Sequence, residues 1–201
     1  MEIIFPILIL LMSVVLHEVS HGYAAYYLGD PTAKLAGRLT LNPIKHLDPV
    51  GSVLIPLLTY TTGGFIFGWA KPVPYNPYNL RSRYGGAYVA SAGPLSNLVV
   101  AAVFAGLIRF SAVLGLPPTF IELSALVVLL NLILAVFNLI PVPPLDGSKI
   151  LFSLLPYRYH WLEDWLNRYQ LILLLILLFF LWRLILPAAL FLFRTFTGLA
   201  I

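Results

Sequence analysis

Cysteine is missing from all 201 residues. That excludes disulfides, a cysteine-ligated metal and a cysteine nucleophile. Charge is scarce, at 10% Asp, Glu, Lys and Arg against about 25% in a soluble domain. Histidine occurs only four times, too seldom for the many-histidine centre of a membrane hydroxylase or desaturase. There is no nucleic-acid-binding motif, and a net charge of +4 reads as loop charge that sets orientation in a bilayer. What fills the chain instead is apolar: 60% hydrophobic residues and a mean hydropathy of +0.93. The expectation is an all-α polytopic membrane protein, a single integral membrane domain over residues 1–201 with about five to six transmembrane or re-entrant helices, at roughly 20 residues per span.

Along the chain, residues 3–28 read as a first helix, stopped by Gly29-Asp30-Pro31. The opening MEIIFPILILLMSVVL has no basic leader and no small-residue cleavage site, so it is expected to be a retained span. Residues 34–41 alternate, with Leu35, Gly37, Leu39 and Leu41 on one side and Lys34, Arg38 and Thr40 on the other. That period predicts a strand. Residues 48–64 are apolar but short and broken by Pro49, Gly51 and Pro56, which suits a re-entrant piece better than a full crossing. Residues 65–75 read as extended chain because Pro72 and Pro74 exclude a helix. Together with 34–41 they form the expected small membrane-associated β element.

Residues 85–114 form a long apolar helix rich in small residues, and 120–140 another, broken by PVPPLDG. Residues 157–170 are amphipathic and aromatic, as at a membrane interface, and 171–193 form the last span, with Arg183 and Pro187 inside. The motif-bearing core is thus about residues 1–156, and 157–201 carry the interfacial segment and last span. Lys34, Arg38, Lys45, Lys71, Arg81 and Arg83 lie between the first and second long helices, and Lys149, Arg158 and Arg168 come after the next. The basic-loop bias puts both regions in the cytoplasm and the N-terminus outside.

The chemistry is concentrated at His17-Glu18-Val19-Ser20-His21. On a helix His17 and His21 share one face, spaced to grip one Zn2+, and Glu18 beside them can take a proton from a metal-bound water. The alternative is a pair of buried histidines satisfying each other, but ionisable groups inside a span are costly and functional by default. His17 falls about 21 Å along its helix, inside the hydrocarbon layer and nearer the cytoplasmic side. A catalytic zinc needs a third protein ligand and one open position. Asp146, in the helix-breaking PVPPLDG, is the leading candidate, because broken segments at membrane depth line polar cavities. His46 comes next, and Asp146 as a helix N-cap is the bland reading.

Three stretches then carry a resemblance. HEVSH on a first span, SAGPLSN on a middle one and NLIPVPPLDG on a later one resemble the site-2 protease family of intramembrane zinc metalloproteases. GRLTLNP, HLDPVGS and GWAKPVP are similar to its compact subgroup, which has no PDZ or CBS domain. The resemblance covers about residues 12–155. It implies one Zn2+ per chain held by His17, His21 and Asp146, and Glu18 as the base that deprotonates the zinc-bound water.

It also raises Asn97, a mid-span amide, from a helix-helix hydrogen bond to a catalytic donor for the substrate carbonyl. Implied partners are transmembrane protein substrates and the lipid bilayer, with no nucleic acid and with a homodimer left open. The expected location is a prokaryotic cell membrane. Two other classes compete: a metal transporter with intramembrane ligands, and a non-proteolytic protein that binds membrane helices.

Overall fold

The computed structural model describes residues 4–54, 58, 61, 70–177 and 182–199. Among them the helices are α1 (Ile4–Tyr27), the single turn α2 (Thr32–Leu35), α3 (Gly85–Arg109), the short α4 (Ser111–Leu114), α5 (Pro118–Asn138), α6 (Asp146–Leu154), α7 (His160–Arg168), α8 (Gln170–Ile176) and α9 (Trp182–Thr197). Three of these, α1, α3 and α5, are long and apolar enough to cross a membrane. The protein is an all-α membrane protein, as its composition implies. Residues 55–57, 59, 60 and 62–64 of the expected re-entrant piece, and all of 178–181, fall outside the described residues, so that piece beyond the π-helical turn Pro49–Leu54 and the continuity of the last span are not described.

α3 is the axis, packed against α1, α5, α6 and α9. Among its buried positions, Ala87, Ala90, Gly93, Asn97, Ala101, Ala105 and Ile108 recur every three or four residues, so a stripe of mostly small side chains faces the bundle, widened by Val89 and Pro94. The far half of that stripe packs with Val128 and Leu132 of α5 and Ala189 and Phe193 of α9 into the apolar core. The near half is left for α1 and α6, and there the polar residues gather. Arg109, at the end of α3, donates from Nε to Phe196 O and from Nη2 to Thr195 O, both at 2.7 Å. It thereby satisfies carbonyls that the end of α9 leaves without helical donors.

The end of α1 is set locally. Gly29 takes φ 108°, and Asp30 N–H donates to Ala25 O at 2.9 Å, the glycine-closed helix stop. Asp30 then organises the chain beyond α1. Its Oδ1 accepts from Thr32 N–H, Thr32 Oγ1 and Asn79 Nδ2, and its Oδ2 from Asn76 N–H. This fully buried carboxylate ties the α1 exit to the 76–79 turn. Burial pushes the carboxyl up, but the hydrogen bonds from Thr32, Asn79 and Asn76 outweigh it and hold the group below the usual carboxylate range.

Asp30 also explains where the sequence reading of a strand at 34–41 is wrong. Capture of the Thr32 N–H and hydroxyl starts a turn, so Thr32–Leu35 is helical and Gly37 takes φ 64°. Leu39, expected on a sheet face, packs into the space over Gly22 of α1. No strand exists among the described residues, and 70–76 carry no regular secondary structure.

Asp30→Asn should lower stability by about 2–3 kcal/mol at neutral pH, because hydrogen bonds to a charge contribute more than neutral ones. Since the folded carboxyl titrates below the unfolded one, that contribution is present above the unfolded value near 4 and is lost as pH falls through the folded value. Denaturation of both proteins in detergent micelles from pH 7 downward should show the gap closing below about pH 4.

Candidate metal centre

Three helices meet at the near end of the bundle. α1 brings His17 and His21, one turn apart on its buried face, with ring centroids 4.6 Å apart. α6 begins at Asp146, and its first turn lies hard against the end of α5, since a Cβ on Gly147 would overlap the carbonyl oxygens of Leu139 and Ile140. Only glycine after Asp146 lets that turn come so close. Asp146 Oδ2 lies 3.0 Å from His17 Nε2 and 3.1 Å from His21 Nε2. One ligand atom from each of His17, His21 and Asp146 lies within 4.8 Å of the others, and all three residues are buried. Asp146 is not the cap of its helix: Leu145 holds that position and no side-chain cap bond forms.

The outer hydrogen bonds decide what the inner atoms offer. His21 Nδ1 lies 2.7 Å from Val89 O. A carbonyl only accepts, so Nδ1 carries the hydrogen, and Nε2 of the neutral ring presents a bare lone pair. His17 Nδ1 stands 3.2 Å from Asn97 Oδ1 in the same relation. Asp146 Oδ2 is an acceptor as well. Three lone pairs thus converge with no hydrogen of their own between them, an arrangement that calls for a cation at the centre. Lys149 Nζ donates to the other Asp146 oxygen, Oδ1, at 3.1 Å, leaving Oδ2 for the cluster.

Space is provided from α3. A Cβ on Gly93 would lie 2.5 Å from His17 Nε2 and would overlap His21 Nε2, so a hydrogen in place of a side chain keeps the histidine lone pairs clear. Two nitrogens and one carboxylate oxygen, each fixed by an outer partner, with a cradle that a methyl group would fill, fit a tetrahedral divalent ion with one position open.

Glu18 lies alongside. Its Oε2 accepts from Val73 N–H at 2.9 Å. With His21, Tyr75, Ala90, Asp146 and Lys149 it lines a cavity of about 40 Å³, room for about one water. Lys149, 45% exposed in its side chain, forms the rim toward the loops.

The remaining sequence candidates lie elsewhere or act differently. His46 is buried with Nε2 donating to Thr40 O at 2.8 Å, away from the cluster. Asn97 sits beside His17 as expected. Its Oδ1 holds the His17 ring, while its Nδ2 is buried without a partner among the described residues. Sequence reasoning misses Val73 and Lys149, the first because a main-chain donor leaves no mark in a sequence, the second because one lysine in a basic loop looks like any other. Gly93 reads in the sequence as a helix-packing glycine, yet what it spaces is the histidine pair.

A family model described as peptidase family M50 matches residues 116–181. The chain is 40% identical over 159 residues to YwhC of Bacillus subtilis (strain 168), the match covering 76% of this chain and 69% of that one. It is 34% identical over 148 residues to Rip2 of Mycolicibacterium smegmatis, covering 68% of this chain and 52% of the relative. It is 31% identical over 146 residues to Rip2 of Mycobacterium tuberculosis (strain Erdman), covering 70% and 53%. Each of the three is named as a candidate zinc metalloprotease. The chain thus spans about half the length of the Rip2 relatives it matches. No solved structure matches it.

Gly93→Ala should weaken zinc binding by about 10–100-fold, the cost of disturbing the support of metal ligands, while the helix itself gains from alanine. Zinc titration together with a melting curve checks this: the affinity should fall, and the overlap should offset the helix gain so that the apo protein melts no higher than wild type. Lys149→Met should lower zinc affinity by about tenfold, by releasing Asp146 Oδ1, in the same titration.

Proposed function

The chain belongs to peptidase family M50, the site-2 proteases, and from that premise we propose that it is an intramembrane zinc endopeptidase that cuts peptide bonds within or near transmembrane segments of other proteins. The observation that carries the reading is the convergence of His17 Nε2, His21 Nε2 and Asp146 Oδ2, buried, with the Glu18 carboxylate on the same small cavity. In this reading His17, His21 and Asp146 hold one zinc ion per chain. When bound, zinc supplies a Lewis acid that polarises a carbonyl oxygen and makes a water acidic enough to lose a proton near neutral pH.

The remaining work falls to the chain's own residues. Glu18 accepts the proton of the attacking water and returns it to the amine as the peptide bond breaks. Val73 N–H fixes one carboxylate oxygen of Glu18, so the other is the one free to move the proton. Asn97 Nδ2, unpartnered among the described residues, donates to the carbonyl oxygen as it takes on negative charge, while Oδ1 keeps the His17 ring turned. Helices with intact internal hydrogen bonds are poor substrates, so the bond cut must lie where the substrate helix has unwound. Water reaches the cavity past Lys149, from the loop side.

The basic residues around that loop end, Lys34, Arg38, Lys45, Lys71, Arg81 and Arg83, support a site nearer the cytoplasmic face of a prokaryotic membrane. Transmembrane proteins are the substrates and the bilayer is the surrounding phase; residues 1–201 act as one membrane-embedded unit. A metal transporter would pass ions between several ligand clusters. Among the described residues His17, His21 and Asp146 form a single group, which supports fixed catalysis.

Wild type and Glu18→Gln, purified in detergent, are compared for zinc content and for cleavage of a panel of single-span proteins. Both should hold about one zinc ion, and the variant should lose cleavage by a factor of roughly 100–10,000. Zinc flux that survives in the variant, without cleavage by either protein, would instead favour transport.

A further inference from the structure

Two stretches that lie far apart in sequence meet over α1 one turn beyond His17. The first is 38–46, the second 71–76. Lys71 N–H donates to His46 O at 2.8 Å, and Arg38 Nη2 donates to Lys71 O at 2.6 Å and to Pro72 O at 3.4 Å. Leu39 from one stretch and Val73 from the other both settle on Gly22, where a Cβ would lie 2.6 Å and 2.9 Å from their side-chain carbons. Gly22 is the residue directly after the ligand His21. The next donor along the second stretch, Val73 N–H, ends on Glu18 Oε2.

Two features mark this as more than loop packing. Pro72 and Pro74 have no N–H, so Val73 carries the sole main-chain donor of residues 72–74, and that donor is spent on Glu18. Arg38 is a cation only 7% exposed, and among the described residues it pairs with no carboxylate. Its acceptors are two consecutive main-chain carbonyls. Burying a guanidinium against neutral acceptors is a poor way to gain stability, and an apolar side chain of similar volume would serve the fold as well or better. What the guanidinium supplies is one nitrogen, Nη2, whose hydrogens reach both carbonyls, closely at Lys71 and more loosely at Pro72, fixing the course of these residues and with it the direction of the next amide.

We infer that Arg38 is a positioning residue: by gripping the carbonyls of Lys71 and Pro72 it aims Val73 N–H at Glu18 and so orients the base. The inference rests on Glu18 serving as that base. Arg38 touches neither substrate nor ligand atoms, and it acts through two residues of main chain.

The test uses the full chain in detergent micelles: wild type, Arg38→Ala, Arg38→Lys, Val73→Pro, the Arg38→Ala/Val73→Pro double variant and Glu18→Ala. Amide hydrogen exchange at Val73 is read first, and needs no activity. Exchange should quicken about tenfold or more in Glu18→Ala and Arg38→Ala, with Arg38→Lys between them and wild type. Zinc content should stay at the wild-type level in both Arg38 variants.

On a fluorogenic single-span peptide interrupted by Gly-Pro, Arg38→Ala should lower kcat about 10–100-fold with KM within about twofold. Val73→Pro, which deletes the donor itself, should do the same, and the double variant should lose no more than either single one. Unchanged exchange at Val73 in Arg38→Ala overturns the proposal. So does a loss of kcat that multiplies in the double variant, or one that appears as zinc loss or raised KM. If wild type fails to cut any single-span substrate, the protease reading falls instead, and the exchange result still decides whether Arg38 holds Val73 on Glu18.

Discussion

Three lone pairs aimed at one point, inside a bundle that crosses a membrane, are the constraint around which this protein is arranged. Two neutral imidazoles and a carboxylate repel one another unless a cation lies between them, and leaving them unpaired in a low-dielectric interior is costly. The surrounding structure keeps them aimed regardless. Val89 O and Asn97 Oδ1 fix the ring hydrogens on the outer nitrogens, and Lys149 draws off the second oxygen of Asp146. Each outer partner removes one alternative that the inner atom would otherwise have.

The helices answer to the same demand. α3 must approach α1 so closely at Gly93 that no side chain fits, and α6 must start so near the end of α5 that only glycine can stand at 147. These close approaches belong to the polar end. At the other end the same stripe of α3 packs conventionally against Val128, Leu132, Ala189 and Phe193, and Arg109 closes it by satisfying the last carbonyls of α9. One end of the bundle is built for tightness around polar atoms and the other for apolar cohesion, with α3 running through both.

Much of this is legible in the sequence, for identifiable reasons. His17 and His21 carry the helical period within five residues, and a local period is what a sequence displays best. Asp146 is visible because the prolines around it break a helix where the composition is still apolar. The ends of α1 and α5 fall close to where Gly29 and the proline-rich turn put them, whereas the helix expected over 85–114 stops at Arg109 and Ser111–Leu114 form a separate turn. The strand expected at 34–41 fails because eight residues of alternation are weak evidence beside an aspartate that captures the Thr32 amide and hydroxyl. The Arg38–Val73–Glu18 arrangement is not legible at all: it joins a side chain, a main-chain amide and a carboxylate from three stretches, and one member has no chemical signature of its own. Asn97 stands out as a polar residue in an apolar span, but that its Oδ1 faces His17 while its Nδ2 has no partner among the described residues emerges only in three dimensions.

The two prolines of the 71–76 stretch leave the chain beside Glu18 with little to offer a pairing strand. Beside Glu18, the base in the proposed reading, runs a piece of the protein's own chain. Pairing such a piece as a strand would require amide hydrogens that Pro72 and Pro74 do not have, and the bonds leading into those prolines are tertiary amides. Arg38 already occupies the carbonyls of Lys71 and Pro72, and Glu18 the one amide between the prolines. Under the proposed protease reading, the segment beside Glu18 is therefore poorly suited to be taken as a substrate strand, and its own main chain guards it against self-digestion.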